Sequence, residues 1–272
     1  MPALEMPHLP RVPVRSVLIS SAAGKEVFVS LQRMGVEAVF VGACRWFSPP
    51  VACHADMQFF HLGGCSILHV RGASRQACES LLKLGFRLRE AEDAPAFTSA
   101  RGYPREIALN AARVGDFLFC RQAFASPTLL AWCLRKSIHI VPVRQGYAKC
   151  AVCVADSRSL ITADTGIADA AEESGIAVLR IRAGFVNLMG YDTGFFGGCC
   201  GKLAPDILAC CGDPTTHPDY PRMAAFLEAR HIRLLPLCGG PLTDIGGILP
   251  LTETGEAFEE CEERAERSLD SF

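Results

Sequence analysis

The 272-residue sequence has no long basic run and almost no net charge, -2 at pH 7. Charge alone would therefore draw it neither to nucleic acid nor to an anionic membrane. It also lacks any apolar run near the roughly 18 residues of a membrane span. Pro2, Pro7, Pro10 and Pro13 interrupt the first 16 residues and deny them the continuous apolar segment of a secretory signal. These absences lead to the expectation of a cytoplasmic protein without nucleic-acid or membrane partners. What is present is ordinary for a globular chain with a sizeable core: 50% apolar and 21% charged residues.

Fourteen cysteines are many. Without an export signal they read as reduced, small apolar fillers rather than a disulfide framework. Cys199 with Cys200, and Cys210 with Cys211, are sequence neighbours, a poor geometry for mutual bonding. The Cys150 to Cys153 spacing resembles a metal knuckle. However, AKCAVCVA reads as a strand, where that separation sends the two thiols to opposite faces, and no second pair has knuckle spacing. No metal and no cofactor are expected.

A repeat organises the chain. KEVFVSLQRMGVEAVFV, RQACESLLKLGFRLRE, SPTLLAWCLRKSIHIVPV, GIADAAEESGIAVLRI and YPRMAAFLEARHIRLLPL each read as a helix, a break and a strand, opening on Val36, Phe86, Ile138, Ile176 and Ile232. A short apolar strand precedes each helix: SVLISS, CSILHV, DFLFCR, SLITAD and DILACCG. Ser74, Ser126, Asp164 and Asp219 stand where helix caps belong, and Gly35, Gly85 and Gly175 where helices end. Five lead-in segments complete the units: HADMQFFHLGG, REIALNAARVG, YAKCAVCVAD, GYDTGFFGGCCG and LTDIGGILPLTE. The last follows the fifth helix while the first unit has none of its own. Pairing Leu242–Thr252 beside Ser16–Ser21 resolves this and predicts a ring of five modules closed by the two ends of the chain. The fold class is thus α/β, a five-module β/α propeller over residues 14–253, followed by an acidic helix or tail over 254–272.

This five-module plan resembles the pentein fold of guanidino-group-modifying enzymes, such as arginine deiminase, dimethylarginine hydrolase and glycine amidinotransferase. The resemblance covers nearly the whole chain and suggests a separate bacterial branch of that superfamily. It implies a central pocket for a small-molecule substrate, with lead-in segments delivering a cysteine nucleophile, a histidine of an H-x-D motif and carboxylates. His54 and Asp56 in HADMQF resemble that motif, and Cys150 in QGYAKCAV resembles the glycine-bearing turn before the nucleophile. Asp192 and Asp244 occupy comparable lead-ins, and Asn110 offers a further polar contact.

The implied chemistry is coherent. A planar guanidinium is held by carboxylates through paired, charge-assisted hydrogen bonds. A thiolate attacks its central carbon while a histidine moves protons, and Lys149 or a protonated His54 would favour the thiolate. The resemblance therefore implies Cys150 as nucleophile, His54 as acid and base, and Asp56, Asp192 and Asp244 as substrate-holding carboxylates. Each residue also has a structural alternative: Cys150 a buried filler, His54 a turn contact, and Asp192 and Asp244 turn aspartates beside glycine. The opposing functional reading is a non-catalytic pentein that uses the ring as a binding scaffold, as the ribosomal anti-association factor does. A Cys150 sulfur more than about 8 Å from every histidine and carboxylate would remove the enzyme reading.

GGCCGK has two further thiols among glycines, for which an anion-accepting loop and a plain turn are both open readings. His217 and Asp219 in THPDYP resemble a ligand pair, with capping the expected role of Asp219.

Overall fold

The computed structural model describes residues 2–92 and 105–255. They form a mixed α/β fold containing five separate three-stranded sheets. The sheets are β15-β1-β2, β3-β4-β5, β6-β7-β8, β9-β10-β11 and β12-β13-β14. Their strands are β1 (Val14–Ser20), β2 (Glu37–Val41), β3 (Phe59–Gly63), β4 (Ser66–His69), β5 (Arg87–Glu90), β6 (Ala112–Val114), β7 (Phe117–Cys120), β8 (His139–Pro142), β9 (Val152–Asp156), β10 (Ser159–Thr162), β11 (Ala177–Arg180), β12 (Cys200–Ala204), β13 (Ile207–Cys210), β14 (Arg233–Pro236) and β15 (Ile248–Glu253). In each sheet a lead-in strand runs antiparallel to the central strand, and the central strand pairs in parallel with the strand that follows a helix. No sheet closes on itself among the described residues.

The five connecting helices are α1 (Lys25–Arg33), α3 (Arg75–Lys83), α4 (Pro127–Arg135), α6 (Thr165–Glu173) and α7 (Tyr220–Glu228). Two shorter ones, α2 (Ala55–Gln58) and α5 (Ala148–Ala151), lie in lead-in segments. The long helices bury one stripe each, as with Val27 and Leu31, Ala77 and Leu81, or Met223 and Leu227. That four-residue spacing puts both side chains on one face.

All five helices end in the same way. Gly35, Ser137, Gly85, Gly175 and His231 take left-handed φ values of 71, 54, 85, 75 and 57° respectively. The next residue, the apolar one that marks each repeat, turns back to a carbonyl of the last helical turn: Val36 to Leu31, Phe86 to Leu81, Ile138 to Cys133, Ile176 to Ala171 and Ile232 to Leu227, at 2.9–3.0 Å. This is the hydrogen bond of a left-handed helix terminus, coupled to burial of the apolar residue. The N-terminal caps are less uniform. Ser74 and Asp164 accept from the amides of Ala77 and Ile167, as expected. Ser126 makes no capping bond, and Asp219 accepts from the Arg182 amide and guanidinium instead. Asp219 therefore ties a neighbouring loop rather than a helix start.

The two ends of the described chain meet in one sheet. Val14–Ile19 pair with Ile248–Glu253, and the Ser16 and Thr252 hydroxyls share a buried 2.6 Å hydrogen bond. The strand begins later than the expected Leu242, because Gly246 and Gly247 take left-handed φ values just before it. The arm before Val14 also packs: Leu4 is fully buried and its amide donates to the Leu251 carbonyl. Of the acidic tail, residues 256–272 lie outside the described residues. No helix among those described is long and apolar enough to cross a membrane.

The left-handed region costs a residue with a Cβ about 1 kcal/mol relative to glycine. Ser137→Gly and His231→Gly, both at exposed positions, should each stabilise the fold by about that amount, with the pair additive. Urea unfolding checks this; an unchanged or lowered midpoint would show that the two termini are not strained.

Candidate active site

The site is built around the turn that carries Cys150. YAKCAVCVAD was expected to be extended throughout, but Ala148–Ala151 form the single helical turn α5 and only Val152 onward is strand. The reason lies in another segment. The Asn110 Oδ1 accepts from the amides of Lys149 (2.8 Å) and Cys150 (3.3 Å), two donors that a helical turn brings together. The Asn110 Nδ2 group donates to the Asp56 carbonyl at 3.2 Å and lies 3.3 Å from Cys150 Sγ. Cys150 and Cys153 thus sit on different elements, and the strand argument against a metal knuckle does not describe Cys150.

Asp56 comes from α2, which follows His54. The Cys150 thiol donates to Asp56 Oδ2 at 3.1 Å, well inside the 8 Å limit set by the sequence argument. Asp244 is aimed by its backbone neighbours: Phe195 N–H donates to Oδ2 at 2.9 Å and Gly246 N–H to Oδ1 at 3.0 Å. Its Oδ1 stands 3.8 Å from His54 Nδ1, an ion-pair distance too long for a hydrogen bond. His54, Asp56, Asn110, Cys150 and Asp244 are all between 1% and 4% exposed. Inside this dry cluster His54 Nδ1 and Asp56 Oδ1 have no hydrogen-bond partner. Unpaired buried polar atoms are costly, and in an enzyme they mark where a ligand supplies the missing bonds.

Close packing of glycine makes the arrangement possible. A Cβ at Gly198 would overlap the Asp244 carboxylate, and one at Gly246 would lie 2.4 Å from the His54 Cβ. Gly246 also has a φ of +76°. Gly197 and Gly201 press on the backbone of Val152 and Ile248 in the same way. GGCCGK is therefore a packing device, with both thiols buried and Cys199 Sγ donating to the Phe196 carbonyl. Neither competes with Cys150 for a place beside His54.

The electrostatics favour the neutral thiol at Cys150. Burial pushes its pKa well above the ordinary value, the Asp56 and Asp244 carboxylates add to this, and Lys149 opposes it. Burial likewise raises Asp244, with His54 opposing and Asp56 adding. Lys149 is itself buried at 5% exposure, and its ammonium donates to the Gly197 carbonyl at 3.3 Å.

Five of the six expected residues therefore come together. Asp192 does not: it is exposed in the loop between β11 and β12, while Asp244 alone takes the backbone bonds that aim a carboxylate at His54. His217 is also outside the cluster, with Nε2 on the Arg182 carbonyl and Nδ1 accepting from Asp219 N–H. Sequence reading missed Glu106, a carboxylate 4% exposed that accepts from Ser48 Oγ and Tyr147 OH. Its one visible signal was its place in REIALN, four residues before Asn110. One ligand atom from each of His54, Asp56 and Cys150 lies within 4.8 Å of the others, so these groups also form a donor set able to hold a metal ion. Two cavities of about 10 Å³ each, room for roughly one water, share His8 and Lys149 in their walls. Between them they draw lining residues from β3, β9, β12, β13 and β15 and from the segment before β6.

Comparison with known proteins bears on the fold. The family model described as "Family of unknown function (DUF6873)" matches residues 18–249. No curated protein sequence matches. Among solved structures, SxtG, an amidinotransferase from Microseira wollei in the saxitoxin biosynthetic pathway, is 11% identical with a TM-score of 0.55, over 93% of this chain and 98% of that one. The inosamine-phosphate amidinotransferase StrB1 from Streptomyces griseus is 13% identical with a TM-score of 0.56, over 93% and 97%. The C. jejuni agmatine deiminase is 7% identical with a TM-score of 0.54, over 92% and 97%. The chain has the pentein fold that these amidinotransferases and deiminases share.

Two outcomes are expected. With the thiol pKa raised, the rate of Cys150 alkylation by a neutral haloacetamide should climb about tenfold per pH unit between pH 7 and 9, following the thiolate fraction. A plateau below pH 8, read by mass spectrometry of the Cys150 peptide, would show an already ionised sulfur. Gly246→Ala should lower stability by 2 kcal/mol or more, roughly the sum of left-handed strain and overpacking. An unperturbed urea midpoint would show that His54 is not held by this contact.

Proposed function

We propose that this chain, which belongs to the family of unknown function DUF6873, is a cysteine-dependent enzyme acting on the guanidine or amidine group of a small molecule. The observation that carries the reading is the contact of Cys150 Sγ with Asp56 Oδ2 inside a buried cluster completed by His54 and Asp244. The five sheets read as modules about one axis, supported by the small cavities whose walls come from all five lead-ins.

A guanidinium entering the cluster would donate to the unpaired Asp56 Oδ1 and share its charge with Asp56 and Asp244. Burial, and after it those two carboxylates, raise the pKa of the thiol. A bound cation offsets them, so the thiol pKa falls as substrate arrives. The thiol proton passes to His54 and the sulfur attacks the central carbon. The C–N bond to the leaving amine then breaks, and that amine takes the proton from His54. Cys150 is left carrying an amidino group through a C–S bond. Water, or a second amine, attacks this carbon and gives up a proton to His54; the C–S bond breaks, and the sulfur recovers the proton. The first course is hydrolysis and the second is transfer. Asn110 fixes the turn that aims the sulfur.

A cationic haloacetamidine tests the reading, since displacement of its halide by sulfur requires the same placement as a guanidinium. It should alkylate Cys150 at least about tenfold faster than the neutral haloacetamide, a difference of roughly 1.4 kcal/mol. Simple guanidines should protect, and Asp56→Asn should remove the preference for the cation. Labelling confined to the half-buried Cys53, Cys78 and Cys238, unprotected by guanidines, would sink the catalytic reading and leave a pentein-fold binding protein.

A further inference from the structure

The segment between β11 and β12 supplies most of the wall of a cavity of about 180 Å³ that the proposed chemistry does not use. None of His54, Asp56, Asn110, Cys150 and Asp244 lines it. Its apolar wall is made by Ile181, Phe185, Val186, Phe195 and Phe196, and the small side chains of Ala151 and Ala163 leave the room. The ring of His217 adds to this aromatic cage, its centroid 5.3 Å from that of Phe185 and 6.4 Å from that of Phe196. An apolar cavity of about 150 Å³ holds one benzene ring, so a molecule of that size fits here. Two lining residues mark the mouth: Phe185 is 43% exposed, and the Arg182 side chain also reaches solvent.

The polar groups of the wall already have partners within the protein. Asp164 accepts from the Ile167 amide at 2.8 Å and from Gln145 Nε2 at 3.1 Å. His217 Nδ1 accepts from Asp219 N–H and Nε2 donates to the Arg182 carbonyl, which makes the ring neutral. Thr193 Oγ1 lies 3.1 Å from the Val186 and Gly194 carbonyls, and the Arg182 guanidinium is forked onto Asp219. A charged ligand would therefore be buried without a counter-charge, which is costly. A neutral ring meets only apolar side chains and the edges and faces of other rings.

Phe195 joins this cavity to the Cys150 site. It lines the cavity and packs against both the apolar cluster that contains Cys150 and the one that contains Ala151. Its amide holds Asp244 Oδ2 at 2.9 Å. Cys150 is 1% exposed, so a reagent reaches its sulfur only when the surrounding wall opens. A ligand bound to the closed wall shifts that equilibrium towards closure.

We propose that the cavity behind Phe195 is a binding site for a neutral molecule with one aromatic ring, and that its occupancy holds the wall over Cys150 closed. The inference is independent of which reaction Cys150 performs, or whether it performs one.

Calorimetric titration of the whole protein with benzyl alcohol, benzylammonium and benzoate tests the binding. Benzyl alcohol should bind at least about tenfold tighter than either ion, since only the ions bury a charge. Ala163→Leu, which fills the cavity, should weaken benzyl alcohol binding by at least about tenfold. Equal affinity for the three probes, or an affinity for benzyl alcohol untouched by Ala163→Leu, would overturn the site. If that variant fails to fold, Phe185→Ala at the exposed mouth decides: weaker binding supports the site and unchanged binding overturns it. The link to Cys150 is read by mass spectrometry of its peptide. Saturating benzyl alcohol should slow alkylation by a neutral haloacetamide at least about threefold in the unaltered protein and leave the rate in Ala163→Leu unchanged. An unchanged rate in the unaltered protein, or equal slowing in the variant, would overturn the link while the binding result stands by itself.

Discussion

The side chain of Asn110 is the constraint on which the site depends. Its amide oxygen gathers the Lys149 and Cys150 amides, and its amide nitrogen reaches the Asp56 carbonyl and the Cys150 sulfur. One residue thereby connects two segments far apart in sequence, at complete burial, where each unmade bond costs about 1–3 kcal/mol. The helical turn at Cys150 follows from it, as does the approach of sulfur to Asp56. No other carboxamide in the described cluster has this place, and neither aspartate nor leucine could supply both a donor and an acceptor there.

The rest of the site is a balance between dryness and charge. Glycines let the lead-in segments close around Asp244 and His54 with little free space. The resulting exclusion of water strengthens each interaction of the carboxylates with whatever cation enters. It also holds the thiol in its protonated form until then. On the proposed function, reactivity would be tied to occupancy by a cation, so that no thiol of this cysteine-rich chain is permanently nucleophilic.

The architecture was largely legible in the sequence, because the same local solution recurs five times. An apolar residue right after a helix terminus reports both the end of the helix and the start of the strand. The pattern survives even where Ser137 and His231 replace glycine. His54, Asp56, Asn110, Cys150 and Asp244 were legible as types at corresponding points of the repeat. Their mutual geometry was not, since the turn at Cys150 is imposed by Asn110 from 40 residues away. Asp192 misled because an aspartate beside glycine looks the same whether it faces the site or solvent. Glu106 was hidden for the opposite reason: its burial is conferred by Ser48 and Tyr147, which local pattern does not connect to it. Asp219 likewise stood at a helix start but answers to Arg182.

The pairing of β1 with β15 bears on how the molecule is assembled. Four sheets are formed from strands that follow one another closely, so each can be completed soon after its own residues are available. The first sheet cannot: Ser16 waits for Thr252, a contact spanning 236 residues. During synthesis the edge of β1 stays open while the other sheets form, and closure of so long a loop is entropically slow. The order in which the chain leaves the ribosome therefore makes its earliest strand the last to be sealed. That late step also brings in Asp244 and Gly246, which immediately precede β15. The candidate site is consequently assembled only when the fold itself is complete.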